Sequence, residues 1–308
     1  MMKLKIAVTG ALGYSGTYIA REAHSRGHQV IALTNSPHRE NPLSLPIVSL
    51  AWDAPVQLEA VLRECDVLIN TYWVRFNGRH LSHAQALRNT QMLFTAARAA
   101  GVKRIVHTSI THPDAYSDLS YFSGKAEAEK YLRELPIPSS ILRPALLFGR
   151  TPEESILINN MAWALRRFPV VGVFGDGKYR LQPLHVQDFA EVALREAERT
   201  DRENAIIEAV GPEIYSFREL WEMIGKAIGK PRKIISVPPW FGWGVARLAG
   251  MLFDDVMLTR DEVRALMENR LVVENAEPAG PRSLRVWCEH NAKNLGKDYA
   301  SELSQRKT

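Results

Sequence analysis

Residues 5–16 read KIAVTGALGYSG, and this stretch decides the fold. Lys5–Thr9 is a short apolar run of the kind that forms a buried strand, and Tyr14–Arg26 continues as a helix. Between them lies a Gly10-x-x-Gly13-x-x-Gly16 turn. A strand that turns through spaced glycines into a helix builds a phosphate cradle. The first glycine permits the tight turn, the second admits a pyrophosphate against the backbone, and the third lets helix and strand pack closely. The helix N-terminus adds free N–H groups and the positive end of its dipole. A nicotinamide dinucleotide is therefore expected here, contacted by Thr9, Gly10, Leu12, Gly13, Tyr14 and Gly16.

Working outward, strand and helix signals alternate. Gln29–Thr34, Asp66–Thr71 and Arg104–Ser109 read as strands. His80–Ala100, closed by Gly101, and Tyr121–Glu134 read as helices, and Ser139–Leu142 starts another strand before Pro144. This rhythm predicts βαβ units and a doubly wound parallel sheet, an α/β Rossmann-type domain over residues 1–150. From about Thr151 helices dominate, at Glu153–Arg167, Gln187–Arg199, Phe217–Ile228, Trp240–Phe253 and Thr259–Asn269. Residues 151–275 are thus expected to form a smaller, mostly helical substrate lobe, with segments interleaved with the first domain. Residues 276–308, rich in charge after a Pro/Gly stretch, are expected as a loosely attached tail.

The end of the second strand bears on cofactor choice. NAD binders usually place a carboxylate there for the ribose 2′-hydroxyl. This chain has Thr34-Asn35-Ser36, with Arg39 just beyond. Nothing repels a 2′-phosphate, and Arg39 can pair with one. NADP(H) is therefore favoured over NAD(H), although Arg39 also suits a solvated loop.

Tyr121-Phe122-Ser123-Gly124-Lys125 sets a phenol and an ammonium four residues apart on one helix face. A tyrosine is a poor proton carrier at neutral pH, and a neighbouring ammonium favours its phenolate. Ser109, and alternatively Thr111, can hydrogen-bond the reacting oxygen, and Asn89 can orient a water or the backbone near Lys125. The strand that starts at Asp66 ends in Asn70-Thr71-Tyr72-Trp73-Val74-Arg75-Phe76. Its aromatic residues Tyr72 and Trp73 suit an apolar or stacked substrate, and Arg75 an anionic group on it, or else the run is simply loop packing.

Taken in order, TGALGYSG, Asp53, DVLINT, Asn89-Thr90, AARAAGVKRIVHTS, YFSGK, ILRPALLFG, YRLQPLHVQDFAEVA and AVGPEIYSFRELWEMIGKAIGK resemble the extended and atypical short-chain dehydrogenase/reductases over roughly residues 3–270. That resemblance implies Asp53 on the adenine amine, Tyr121 and Lys125 as a proton relay, and Lys125 on the nicotinamide ribose. It also implies Asn70 and Pro144 beside the cofactor, Arg180 at a substrate phosphate, and a homodimer through the two long helices. The segment between Ser109 and Tyr121 is shorter than in sugar-nucleotide epimerases, which argues against a bulky nucleotide-sugar. The pattern lies closer to the atypical members, which include a respiratory complex I accessory subunit and regulatory NmrA-like proteins. Two functions stay in competition. One is an NAD(P)-dependent oxidoreductase or epimerase acting on a small hydroxyl, carbonyl or sugar-like substrate. The other is a non-catalytic NAD(P)H-binding regulator or assembly subunit.

Composition narrows the remaining choices. With 39 Lys and Arg against 34 Asp and Glu, the net charge is +5 and scattered, so no nucleic-acid partner is expected. Two distant cysteines, Cys65 and Cys288, have no metal spacing; no metal and a reducing, cytoplasmic setting are expected. Val237–Phe253 is the most apolar stretch, but it is short for a span and carries Arg247. A packed helix is expected there rather than a membrane- or quinone-associated one.

Overall fold

The computed structural model describes residues 3–77, 81–238 and 259–301. The expected helix at Trp240–Phe253, and with it most of the apolar stretch, lies outside these. Two compact units are present: residues up to Pro144 together with Phe189–Ala209, and Ala145–Asp188 with Val210 onward.

The first unit is built on seven strands: β1 (Lys5–Thr9), β2 (Gln29–Leu33), β3 (Ile47–Val48), β4 (Val67–Asn70), β5 (Arg104–Thr108), β6 (Ser139–Pro144) and β11 (Ala205–Ala209). They pair in parallel in the order β11-β6-β5-β4-β1-β2-β3. The order reverses between β1 and β4, which is the switch point where doubly wound sheets hold their ligands. The helices are α1 (Tyr14–Ser25), α2 (Pro55–Leu62), α3 (His83–Ala99) and α4 (Ser120–Glu134). Alternate strand residues explain the layering. Ala7, Ile31, Leu33, Leu68, Ile105 and Ile141 share one core with Leu58 and Leu62 of α2, Phe94 and Ala97 of α3, and Leu132 of α4. Strand β11 was not legible as a strand and extends the sheet beyond β6, Ile206 pairing with Ile141. Arg143 of β6 ties this edge to α4, bridging Glu208 and the buried Glu129.

The second unit has more strand than expected. In parallel pairs, β7 (Leu147–Phe148) meets β10 (Leu184–His185), and β8 (Val170–Phe174) meets β13 (Lys233–Val237). An antiparallel pair joins β9 (Arg180–Leu181) to β12 (Tyr215–Ser216). Its helices include α5 (Ile156–Arg167), α7 (Phe217–Ala227), α8 (Arg260–Met267) and α9 (Leu284–His290), while α6 (Val186–Ala197) crosses from this unit into the first. Residues 276–301 are not the loose tail expected from their composition. Asn159 and Asn160 hold the backbone at Asp298 and Ala300, and Arg166 holds the carbonyls of Ala292 and Leu295. The buried Asp188 carboxylate receives both the backbone and the guanidinium of Arg282. Among the described residues, no helix is long and apolar enough to cross a membrane, and no three potential ligands gather around a metal position.

Candidate active site

The turn at the end of β1 is shaped for a close approach. Gly10 adopts φ +64°, a left-handed conformation, and a Cβ there would also meet the Thr71 hydroxyl at 2.8 Å. A Cβ at position 16 would lie 2.0 Å from the Gly10 carbonyl oxygen, so only glycine lets α1 start against this turn. Helix α1 has no side-chain cap and no acidic residue in its first turn, so its N–H groups and dipole face no competing acid on the helix itself. These features fit a pyrophosphate.

Beneath the turn runs a buried polar chain. The Thr9 hydroxyl donates to Asn70 Oδ1 at 2.7 Å and accepts the backbone N–H groups of Thr71 and Tyr72. Asn70 in turn donates to His107 Nδ1 at 3.0 Å. That bond places the His107 proton on Nε2, which is buried and has no partner among the described residues. Burial, with the nearby Lys125 charge acting the same way, holds His107 well below the usual imidazole range. The imidazole is thus a neutral strut joining β4 to β5.

Around the adenosine end, Thr34 is buried at the end of β2 and its hydroxyl accepts the Ser36 N–H. Asn35 is exposed and accepts from Ser49; Asp53 is exposed as well. The guanidinium of Arg39 reaches the glycine turn, its Nη1 lying 3.6 Å from where a Gly13 Cβ would be. Leu12 is partly buried, Tyr14 is exposed with its ring edge-on to Tyr18, and Pro144 is buried at the end of β6.

The loop after β4 brings the aromatic run onto the catalytic candidates. The ring of Trp73 lies 6.1 Å from that of Tyr121 and 4.4 Å from Lys125 Nζ, so one indole touches both members of the pair. Gly124 makes room for it, since a Cβ there would fall 3.2 Å from the indole. Lys125 is 2% exposed and donates to the Thr108 carbonyl at 2.7 Å. Burial pushes its ammonium down to about 7, against the opposing pull of Glu129. Beside it, the hydroxyls of Thr108 and Ser109 and the indole N–H of Trp73 are buried without a partner among the described residues. Orphaned polar groups clustered at strand ends mark a place that a polar ligand would satisfy. Thr111, also buried, hydrogen-bonds through its backbone N–H to the Pro144 carbonyl at 3.4 Å.

Two candidates are engaged elsewhere. Asn89 is bonded to residues other than Lys125: its amide donates to the Tyr72 hydroxyl at 2.9 Å and accepts from Gln85. Arg180, in the second unit, is ion-paired with Glu274. Arg75 lies over the Phe76 ring at 4.7 Å. Sequence reasoning missed Trp52, whose ring centroid is 4.8 Å from that of Tyr72, and His83. His83 stacks on Trp73, sits edge-on to Tyr121 and shares a 2.8 Å hydrogen bond with Ser120. The Ser82-His83 pair at a helix start was the available signal, Ser82 being the N-cap of α3.

The buried ammonium sets a pH dependence. An unfolded lysine keeps its proton up to about 10.5, whereas the folded one gives it up near 7. Between those values the folded chain binds fewer protons, so stability rises with pH through this window, and the burial penalty is full below it. Lys125→Met removes the slope. The stability of the wild type relative to that variant is expected to rise by a few kcal/mol, on the order of 2–4, from about pH 7 to 10 in denaturant titrations. Parallel curves for the two proteins would mean that Lys125 is charged at neutral pH.

Comparison with known proteins supplies the family. The model of the NmrA-like family matches residues 2–241. The mitochondrial NADH-ubiquinone oxidoreductase 40 kDa subunit of Neurospora crassa is 23% identical over 75% of this chain and 62% of its own length, so the chain spans less than two thirds of that subunit. Quinone oxidoreductase 2 of Escherichia coli is 26% identical over 73% of this chain and 75% of its own. Among solved structures, the Citrobacter sp. triphenylmethane reductase complexed with NADP(H) superposes with a TM-score of 0.70 at 18% identity, covering 93% of this chain and 99% of that one. The fold is a Rossmann-type parallel α/β sheet, and the matched span, most of the chain's length, shows that the chain belongs to the NmrA-like family.

Proposed function

We propose that the chain is an NADP(H)-dependent oxidoreductase acting on a small, flat carbonyl or hydroxyl compound, with Tyr121 and Lys125 as its proton relay. One observation carries this reading: a single indole, Trp73, contacts both Tyr121 and Lys125 at the C-terminal ends of β4 and β5, on the ligand side of the glycine turn. The names of two proteins that the chain resembles, a quinone oxidoreductase and a triphenylmethane reductase, agree with it.

A bound nicotinamide would supply the two-electron redox chemistry. Gly10, Gly13 and Gly16 would hold its pyrophosphate, and Arg39 a 2′-phosphate. Tyr121 would exchange the proton on the substrate oxygen, with the Ser109 hydroxyl donating to the same atom. Lys125 in its charged form favours the Tyr121 phenolate, and the Thr108 carbonyl orients its ammonium. The aromatic faces of Tyr72 and Trp73 favour a planar substrate.

Arg39→Ala is expected to weaken NADPH binding roughly 10–100-fold, the worth of charge-assisted hydrogen bonds, and to leave NADH binding unchanged. Equal losses for both dinucleotides in a calorimetric titration would remove Arg39 from the 2′-phosphate.

The burial of Lys125 under Trp73 favours a second reading, a protein that binds the dinucleotide without turnover as part of a larger assembly. The Neurospora crassa relative is named as a subunit of a larger oxidoreductase. A protein that holds NADPH stoichiometrically, yet never oxidises it with any carbonyl or quinone, would favour this reading over catalysis.

A further inference from the structure

Trp73 has an odd position for a loop residue. Its indole seals a buried ammonium, contacting Lys125 Nζ at 4.4 Å and closing on Gly124, while its own N–H is buried without an acceptor among the described residues. A cation over an indole is a favourable contact, while the buried indole N–H without an acceptor carries a cost that moving the indole would relieve. Lys125, with three N–H donors, makes one hydrogen bond among the described residues, to Thr108. A polar ligand lying across the ends of β4 and β5 would meet the orphaned hydroxyls of Thr108 and Ser109 directly. The indole lies on the neighbouring ammonium.

The loop is pinned on both sides of the indole. Tyr72 is held by Thr9 through its backbone and by Asn89 through its hydroxyl. Asn77 accepts the His83 N–H at 2.8 Å and donates to Ser120, and the Arg75 carbonyl faces His83 Nε2 at 3.3 Å. Trp73 and Val74 lie between these anchors, and among the described residues no hydrogen bond ties either of them down.

We propose that Trp73 is a ligand-displaced cover over Lys125, a positioning residue whose departure opens the ammonium to the dinucleotide bound on the glycine turn. This rests on the dinucleotide-binding reading above. While the cover is closed, Lys125 faces Glu129 on its own helix, the neutral His107 and the Thr108 carbonyl from β5, and the Trp73 ring from the loop, with Tyr121 and His83 against the indole. Opening removes the apolar side of that enclosure, so ligand arrival shifts Lys125 further towards its charged form. The relay is thereby tied to cofactor occupancy.

The test tracks the indole itself in the full chain labelled with nitrogen-15 and titrated with NADPH. The Trp73 indole resonance is identified by its loss in Trp73→Phe, and the Gly10 and Gly13 amides report on the glycine turn. The expected result is that the glycine amides and the Trp73 indole shift together, with the same saturation. A shift at the glycines with an unmoved indole would overturn the cover while leaving dinucleotide binding intact. No shift at the glycines would overturn dinucleotide binding and the cover with it. Independently, Trp73→Ala should bind NADPH roughly three- to tenfold more tightly, since the competent state no longer has to be opened. Weaker binding by this variant would make Trp73 a simple ligand contact and contradict the proposal.

Discussion

Gly16→Ala is expected to abolish measurable dinucleotide binding, weakening it by on the order of a hundredfold or more, and to destabilise the first unit by roughly 1–3 kcal/mol. The cause is local and steric. The added methyl would fall 2.0 Å from the carbonyl oxygen of Gly10, 2.6 Å from its carbonyl carbon and 3.0 Å from the Cα of Ala11. All three obstacles are backbone, so no side chain can rotate away. Either α1 withdraws from β1 or the turn opens, and each removes N–H groups from the pyrophosphate. A Gly27→Ala control separates this effect from a general loss of glycine. Gly27, unlike Gly16, has a positive φ, +82°, and has nothing within 4 Å of a built Cβ. It should lose some stability and keep its affinity. Calorimetric titration with NADPH and a denaturant curve on each variant check both halves of this expectation.

Tyr121→Phe is expected to lower turnover on any accepted substrate by on the order of 10²–10⁴-fold, the usual worth of a positioned proton donor. The phenyl ring keeps its edge contacts with Trp73 and His83, at 6.1 and 5.5 Å, so the fold and the dinucleotide affinity should hold. The loss therefore belongs to kcat, with little change in KM. Ring packing and proton transfer are separable here because the aromatic neighbours touch the ring. Unchanged turnover in Tyr121→Phe would place the proton elsewhere. Equal losses in affinity and turnover would make Tyr121 a packing residue.

Much of the architecture is written in local pattern. The strands β1, β2, β4 and β5 are short apolar runs that end in turn residues, and the spaced glycines after β1 announce a phosphate-binding turn and a helix. Local pattern fails where packing decides. Ala205–Ala209 comes after the charged stretch Asp201-Arg202-Glu203, and its outer residues remain partly exposed at the sheet edge, so it reads as a linker. Strands β8 and β13 pair in parallel across many intervening residues, a register that no local signal carries. The C-terminal segment looks loose because a short Pro/Gly stretch is followed by many charges. Its glycines are in fact packing residues: a Cβ on Gly296 would strike the Trp163 backbone at 2.3 Å, and one on Gly280 would strike the Asp188 carboxylate at 2.2 Å.

The site divides in the same way. Tyr121 and Lys125 were legible because helical spacing places them on one face. Asn89 is on the expected helix, but its amide went to Tyr72, a choice that only the loop conformation determines. The position of Trp73 over Lys125 comes from anchors at Thr9, Asn89, His83 and Ser120, drawn from three separate stretches of chain. No periodicity encodes that meeting, and Gly124, a residue of the YFSGK motif, is what allows it.

Reduced dinucleotide bound at Gly10–Gly16 is expected to be consumed with help from Tyr121. The most direct measurement is the loss of the reduced-nicotinamide absorbance when NADPH or NADH is mixed with the protein and a panel of quinones, aryl ketones and small aldehydes. The same panel is run on Tyr121→Phe. The predicted result is oxidation by the wild type with at least one planar acceptor, faster with NADPH, and its near-complete loss in the variant. Tight NADPH binding with no oxidation across the whole panel, or equal oxidation by both proteins, would contradict the claim.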